Sequence, residues 1–223
     1  MCGRFALTLP HEAMADLFDA TPGQALMPTP RYNICPTQQI PVVRAGENGR
    51  RLMSMRWGFL PSWYKMPADG PLLINARAES IADKPAFRSA CRTRRCIIPA
   101  TGFYEWTKDK DGARLPWYIY PADAPVIALA GIWQDWQGGD GQNITTCAIV
   151  TTAANDHLAH IHHRMPVTLA PVDYGLWLGE AGQGAARLMI SAPEERFAYH
   201  RVAATVNSNR AQGPDLIDER FEV

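Results

Sequence analysis

The chain has 223 residues, of which 47% are hydrophobic and 20% are charged. This length suffices for one large domain or two small ones with a buried core. Lysine plus arginine equals aspartate plus glutamate, 22 of each, which argues against a broad polyanion-binding surface but leaves room for a local one. The sequence has no apolar run long enough for a membrane span and no secretory signal pattern, so we expect an intracellular protein without membrane contact.

The predicted elements of the first half are short and are punctuated by proline. Asn48-Gly49 is a strong hairpin signal between two strands. In chain order we predict a helix over 11–19, an extended segment over 28–43 that leads into a strand near 40–45, a strand over 51–57 and a helix over 80–91.

The second half is dominated by predicted strands. In chain order they are 96–106, a return over 115–120 after the Asp111-Gly112 turn, 126–133, 145–152 and a late strand over 199–206; helices are predicted over 153–163, before a loop closed by Pro166, over 172–178 and over 184–189. Hairpins with helices between them predict an α+β fold: one domain around a curved, mainly antiparallel sheet or barrel-like core with short flanking helices.

The cysteines predict neither disulfides nor a zinc site. There are five, they are scattered, and they form no CxxC pair, so we expect no bound metal or cofactor. They are Cys2, Cys35, Cys91, Cys96 and Cys147.

Cys2 directly follows the initiator methionine. If Met1 is removed, one residue carries a free amine, with a pKa of roughly 7.7–8.0, and a thiol, with a pKa of about 8.5. An aldehyde would form an imine with the amine, and the thiol would close a five-membered thiazolidine ring on the imine carbon. The alternative is a small residue that packs under the sheet, and Cys2 alone favours that alternative.

Glu105 lies in an otherwise apolar strand, GFYEW. By two-residue alternation it shares a face with Phe103, while Tyr104 and Trp106 share the other. If it is desolvated, its pKa rises and it can hold or deliver a proton near neutral pH. A solvent-facing glutamate on a half-exposed strand fits the pattern equally well.

Three histidines stand within four residues in IHHRMP and the residue before it. They are not joined by carboxylates or cysteines at helical spacing, so an acid–base or hydrogen-bonding role is favoured over a metal site. His160 at a helix end can simply interact with the helix dipole, which leaves His162 and His163.

Asn75, Arg77 and Glu79 stand at alternate positions in NARAES. If the segment is extended, they point to one face, where Arg77 could hold a phosphate and Asn75 could orient an amine or hydroxyl. The alternative is a salt bridge between Arg77 and Glu79.

The segment WGFLPSWY supplies several aromatic side chains in a predicted loop. An aromatic there either covers the core or forms an exposed platform on which a base stacks, worth roughly 1–3 kcal/mol. By default we assign most of these side chains to packing.

Taken together and in order, the motifs resemble those of the SRAP family, the SOS-response-associated peptidases, which include hydroxymethylcytosine-binding proteins. The resemblance runs from Cys2 to about Ile217 and predicts one SRAP domain over 1–223. The motifs are MCGRF, RYNICPTQ, WGFLPSW, INARAES, RRCIIPATGFYEW, IHHRMPVTL and VNSNRAQGPDLI.

The resemblance implies capture of abasic sites in single-stranded DNA through a covalent DNA–protein crosslink on Cys2. By match to the family motifs, Asn75 holds the sugar, Glu105 shuttles the proton for imine formation and reversal, and His162 helps open the sugar ring. Weak lyase activity and removal of its own Met1 as a thiol autopeptidase are also implied.

The resemblance also implies DNA contacts. Arg4 and Arg77 match phosphate-binding arginines, and Trp63 and Tyr64 match a stacking pair in which tyrosine is a departure. Cys35 and Ser80 replace a usual alanine and threonine. The remaining matches are Asn33 and Pro36, in a loop that wedges beside the lesion, and Thr151, near the site.

Two competing hypotheses remain: a thiol peptidase or amidase in which Cys2 attacks a carbonyl, and a non-catalytic reader of modified DNA bases. For the abasic-site hypothesis we expect a monomer acting on single-stranded DNA, with replication-fork proteins as further partners. The expected location is the cytoplasm, at the nucleoid after damage, in a bacterium, or the nucleus in a eukaryote.

Overall fold

The computed structural model describes residues 2–220, and within them short helices flank two sheets. The α-helices are α1 (His11–Phe18), α2 (Arg88–Thr93), α3 (Asp156–Ala159) and α4 (Tyr174–Leu178). Single 3-10 turns cover Pro171–Asp173, Ala185–Leu188, Glu194–Arg196, Ala204–Asn207 and Pro214–Ile217. The strands are β1 (Phe5–Leu7), β2 (Ala20–Pro22), β3 (Arg31–Ile34), β4 (Gln39–Gly46), β5 (Gly49–Trp57), β6 (Asn75–Arg77), β7 (Arg95–Ala100), β8 (Gly102–Lys108), β9 (Arg114–Pro121), β10 (Ile127–Gln137), β11 (Asn143–Ala153), β12 (Arg164–Pro166) and β13 (Phe197–Arg201).

One sheet closes into a barrel-like core. Strands β11, β10, β7, β4 and β5 pair in that order, and β5 then pairs with β11 in parallel at Cys147↔Trp57. Apolar side chains are fully buried on both faces of this sheet, for example Leu129 and Ile149 on one face and Ile97 on the other. The predicted α+β class with a curved, mainly antiparallel sheet and short helices is confirmed.

The second sheet has the order β13-β9-β8-β1-β3. The predicted strand 96–106 is wrong as one element, because the chain passes from the barrel to this sheet at Thr101. The hydroxyl of Thr101 accepts the Thr8 N–H at 2.8 Å. Gly102 allows the crossing: a Cβ there would lie 2.4 Å from the Tyr118 ring.

The predicted helix over 80–91 is also wrong for most of its length. Turns centred on Ser80 lead to α2, which begins only at Arg88. Pro85 removes a backbone donor and disfavours helical backbone at Lys84, so one helix cannot run through 80–91.

Two further predictions are corrected in extent. The predicted helix over 153–163 shortens to α3, because Ala153 pairs with Arg164 and the chain must turn back between them. The late strand runs over Phe197–Arg201 rather than 199–206, and a 3-10 turn follows it. The described residues contain no helix long and apolar enough to cross a bilayer.

Candidate active site and nucleic-acid interface

A cleft of about 340 Å³ opens beside the second half of β8, beyond the end of its pairing with β1. The ladder between β1 and β8 pairs only Phe5↔Phe103 and Ala6↔Gly102, and Tyr104 N–H then donates to the Arg4 carbonyl at 2.9 Å. Beyond Tyr104, β8 continues without a β1 partner, and side chains from both of its faces line the cleft. The lining residues are Gly3, Arg4, Glu105, Trp106, Thr107, Lys108, Arg114 and His162.

Cys2 is fully buried against the apolar core beside this cleft. Burial raises the pKa of its thiol well above the ordinary value, and the nearby Glu105 carboxylate raises it further. The resting thiol is therefore protonated. Met1 lies outside the described residues, and in the chain as written the nitrogen of Cys2 is part of a peptide bond.

Asn75 holds the backbone of Cys2. Its Nδ2 donates to the Cys2 carbonyl at 3.1 Å. The strand that carries it, β6, is fixed to the barrel by the pairs Ile149↔Asn75 and Thr151↔Arg77. The buried Oδ1 of Asn75 has no hydrogen-bond partner among residues 2–220, so an acceptor is available beside Cys2.

Glu105 is desolvated, which decides between the two alternatives that its strand position allows. It is only 4% exposed, because its strand is covered on one face by Phe103 and the main core and on the other by Tyr104 and its cluster. Burial raises the pKa of its carboxyl above the ordinary value. The side chain can therefore hold a proton closer to neutral pH than an exposed glutamate.

His162 is held in one tautomer. Its Nδ1 lies 2.9 Å from the Arg164 N–H and 3.2 Å from the Arg164 carbonyl oxygen. The shorter contact is with a donor, so Nδ1 accepts and the proton of the neutral ring resides on Nε2. Burial lowers the pKa of His162, and the exposed His163 ring stacks on it at 4.4 Å.

Arg164 and Glu79 clamp this segment, and sequence reasoning did not identify this pair. The Arg164 guanidinium binds Glu79 through two hydrogen bonds of 2.7 and 2.9 Å and also donates to the Thr151 carbonyl at 2.7 Å. Glu79 therefore pairs with Arg164 instead of forming the Arg77 salt bridge considered above. Thr151 is fully buried and organises the site from behind. The sequence offers one signal for Arg164, because this arginine directly follows the two histidines in IHHRMP.

The structure brings the four predicted catalytic residues together. Asn75 bonds to Cys2, the Glu105 charge acts on Cys2, and Glu105 and His162 line the same cleft. Cys2 lies in the N-terminal segment and Asn75 in β6. Glu105 lies in β8, and His162 lies in the loop before β12. Together they offer a thiol, a proton carrier and two oriented hydrogen-bonding groups.

Arg4 and Asn33 form a fixed pair at the edge of the cleft. Arg4 Nη1 donates to Asn33 Oδ1 at 2.7 Å and to the Val206 carbonyl at 3.0 Å. Asn33 is 1% exposed, and its Nδ2 donates to the carbonyls of Ser208 and Ala211. Asn33 thus positions Arg4 and the C-terminal segment, and in this arrangement it does not face solvent.

Other predicted DNA contacts differ in accessibility. Trp63 is 57% exposed, whereas Tyr64 is 8% exposed and packs edge-on against Trp63 at 6.3 Å. Tyr64 therefore supports Trp63 and does not present a ring of its own. Arg77 is exposed at the end of β6, and Pro36 is partly exposed next to the buried Cys35.

Three residues that line the cleft and one that supports them from behind were not predicted, because nothing in the letters marks them as parts of one site. Trp106, Lys108 and Arg114 belong to the β8–β9 hairpin, and Asn207 lies in the late VNSNRAQ motif. The Trp106 Nε1 donates to Asn207 Oδ1 at 2.6 Å. Within residues 2–220, no three His, Cys, Asp or Glu side chains are grouped so that they could hold a metal ion.

The sequence matches known proteins over nearly its whole length. The family model "SOS response associated peptidase (SRAP)" matches residues 1–209. Among curated proteins, the chain is 34% identical to abasic site processing protein YoaM of Bacillus subtilis, with 98% of each chain covered. It is 31% identical to abasic site processing protein YedK of Escherichia coli, with 97% of this chain and 99% of that one covered.

Solved structures share the fold. A protein from Bacteroides thetaiotaomicron matches with a TM-score of 0.86 at 24% identity, over 99% of this chain and 100% of that one. A protein from Bordetella bronchiseptica matches with a TM-score of 0.78 at 25% identity, over 91% of this chain and 100% of that one.

Proposed function

The chain belongs to the SRAP family, and from that premise we propose that it processes abasic sites in single-stranded DNA by capturing them covalently on Cys2. Relatives that are 31–34% identical over nearly the full length carry the name abasic site processing protein. The observation that supports the proposal most is the anchoring of the Cys2 carbonyl by Asn75. It fixes the residue that would carry both amine and thiol beside Glu105 and His162.

The first step is exposure of the Cys2 amine. Hydrolysis of the Met1–Cys2 peptide bond consumes one water and releases methionine. Cys2 would act here as the thiol nucleophile, with Glu105 and His162 assisting. Met1 lies outside the described residues, so this autopeptidase step depends on the sequence position alone.

Capture then proceeds in two bond-forming steps. The ring-opened abasic sugar presents an aldehyde at C1′; the Cys2 nitrogen adds to it, and the resulting carbinolamine loses water to give an imine. The Cys2 sulfur adds to the imine carbon while its proton passes to nitrogen, which closes the thiazolidine. The net change is the loss of one water molecule.

The environment of each residue suits one of these steps. Protonated Glu105 can donate to the departing hydroxyl and, once ionised, can accept the thiol proton. A cationic imine next to Cys2 also counteracts the raised pKa of its thiol. The Nε2–H of neutral His162 can donate to a sugar oxygen and favour ring opening, and Asn75 Oδ1 can accept from the sugar or the amine.

The same imine would permit a weak lyase activity as a side reaction. The imine makes the C2′ hydrogens acidic; if a base removes one, β-elimination breaks the C3′–O bond and cleaves the strand. Closure to the thiazolidine removes the imine and suppresses this path. The balance between crosslink and cleavage thus depends on how fast the sulfur adds.

DNA is held by a narrow set of contacts, which fits a protein without net charge. Arg77 is exposed for a phosphate, Trp63 for a base, and Arg4 is held at the edge of the cleft. We expect binding to weaken with salt, with a slope set by the few phosphates neutralised. The expected state is a monomer, with replication-fork proteins as further partners.

The decisive experiment is incubation with a single-stranded oligonucleotide bearing one abasic site, followed by denaturing electrophoresis. The wild type gives a shifted, denaturation-resistant band, Cys2→Ser does not, and Cys35→Ser serves as the control cysteine variant. Reduction during incubation traps the imine that remains in Cys2→Ser. A wild type that binds the oligonucleotide but never survives denaturation attached to it would contradict the proposal and favour a reader of modified bases.

A second comparison separates capture from the competing thiol peptidase or amidase. Chemical blocking of the Cys2 α-amine, or an N-terminal extension that prevents processing, removes the crosslink. A peptidase that acts through the thiol would keep much of its activity after the same treatment.

A further inference from the structure

Two cations of the β8–β9 hairpin, Lys108 and Arg114, line the catalytic cleft, and neither matches a motif discussed above. They stand directly opposite each other in the ladder, and both are exposed. Like charges in this position repel and destabilise a hairpin. Among residues 2–220, neither forms an ion pair with a carboxylate.

Trp106 organises the positive charge. The Arg114 guanidinium lies over its ring at 4.6 Å, and the Arg4 guanidinium lies 5.8 Å from the same ring. Cation–π contacts of this kind orient both guanidinium groups without neutralising them. Three cations, Arg4, Lys108 and Arg114, therefore share one cleft.

Asn207 fixes this arrangement from behind. Its Oδ1 accepts from Trp106 Nε1 at 2.6 Å, and its Nδ2 donates to the Arg114 carbonyl at 3.3 Å. The preceding carbonyl, that of Val206, accepts from Arg4 at 3.0 Å. One short C-terminal segment thus holds the tryptophan, the start of β9 and Arg4, so the cationic group is built before any ligand arrives.

We propose that Arg114 and Lys108, together with Arg4 around Trp106, form a phosphate site that binds a phosphodiester next to the captured sugar on the lesion strand. This inference rests on the proposed function. The cleft is shared with Glu105 and His162, so an anion bound here lies on the same strand as the reacting carbon. Glu105 is the one carboxylate among the described lining residues, and burial favours its neutral form.

The first test measures noncovalent binding of an undamaged single-stranded oligonucleotide as a function of salt. Arg114→Gln should weaken binding about tenfold, as expected for loss of one charged hydrogen bond. It should also reduce the slope of log K against log salt by about 0.7. Arg114→Lys keeps the charge and should keep most of the slope. Arg51→Gln is the matched control, because Arg51 is exposed and faces Arg44 across another hairpin, away from the cleft.

The second test locates the phosphate. A neutral methylphosphonate replaces, one at a time, the linkages on either side of an abasic site. At one linkage the replacement should slow capture by the wild type and have no further effect on Arg114→Gln. Equal losses in both proteins at every linkage would overturn the assignment, as would wild-type affinity and salt slope in an Arg114→Gln, Lys108→Gln double variant.

If the proposed function itself is wrong, the experiments give a different result from the one expected when only the phosphate site is wrong. In that case the wild type forms no denaturation-resistant product on any abasic oligonucleotide, while the salt dependence of binding still reports on the cationic cleft. A wild type that crosslinks normally, with hairpin variants that match it in every assay, contradicts only the phosphate site.

Discussion

The side-chain amide of Asn75 donates a hydrogen bond of 3.1 Å to the backbone carbonyl of Cys2, 73 residues away in the sequence. Because Asn75 sits on a strand paired with barrel strand β11, the bond connects the N-terminal segment to the barrel. The position of Cys2 is therefore set by the barrel as well as by the pairing of its sequence neighbours in the second sheet.

Asn75→Ala should slow crosslinking about 100-fold, because a small displacement of a reacting group suffices for such a loss. The cost in unfolding free energy should be only about 1 kcal/mol, that of one hydrogen bond. Crosslinking rates on an abasic oligonucleotide and urea denaturation measure the two effects. Asn48→Ala, in the exposed β4–β5 turn, should leave the crosslinking rate unchanged, and a wild-type rate for Asn75→Ala would contradict the anchoring role.

Glu105 should make the protein less stable as pH rises. Its native pKa is raised by burial above the ordinary value of 4.5, so above that pH the native state holds a proton that the unfolded chain has lost. Stability from this group is complete below 4.5 and is lost as pH rises through the native pKa. Glu105→Gln removes this dependence and should gain stability relative to wild type with rising pH.

Urea denaturation of both proteins across this pH range tests the prediction. The same variant should crosslink about 10²–10⁴-fold more slowly, since glutamine cannot transfer the proton. Parallel stability curves for the two proteins would show that Glu105 is not desolvated.

His162 should titrate below its ordinary value of 6.5, because burial disfavours the charged ring. Its contribution to stability is present above 6.5 and is lost as pH falls, since the unfolded chain then binds the proton more readily. NMR titration of the imidazole measures the pKa directly. His163→Phe keeps the stacked ring but removes its charge, so the pKa of His162 should rise towards 6.5. A native value at or above 6.5 in the wild type would be inconsistent with the buried, neutral tautomer.

Substitution of Trp63 should affect DNA binding, whereas substitution of Tyr64 should affect the stability of the fold. Trp63→Ala removes an exposed ring and should weaken single-stranded DNA binding by roughly 1–3 kcal/mol if a base stacks on it, with little effect on unfolding. Tyr64→Ala removes a buried ring that packs with Leu60 and Trp136 and should destabilise the fold by about 3 kcal/mol or more. Binding titrations and thermal melts distinguish the two; equal melting losses would mean that Trp63 is also structural.

Motifs and strand patterns anticipated a large part of this molecule. Hairpin signals and apolar alternation predicted the α+β class, and the ordered motifs marked Cys2, Asn75, Glu105 and His162. The fold class could be predicted because turn chemistry and alternation are local. The four site residues come from the family motifs, and their roles stay a prediction.

The tertiary structure alone decided what surrounds those residues. Strand alternation did not decide whether Glu105 faces solvent or is desolvated. The packing of two apolar clusters against its strand removes it from water. The Glu79–Arg164 clamp and the Trp106–Asn207 bond join residues 85 and 101 positions apart. No local pattern encodes such pairs, because they form only when the barrel closes and the chain crosses to the second sheet at Thr101.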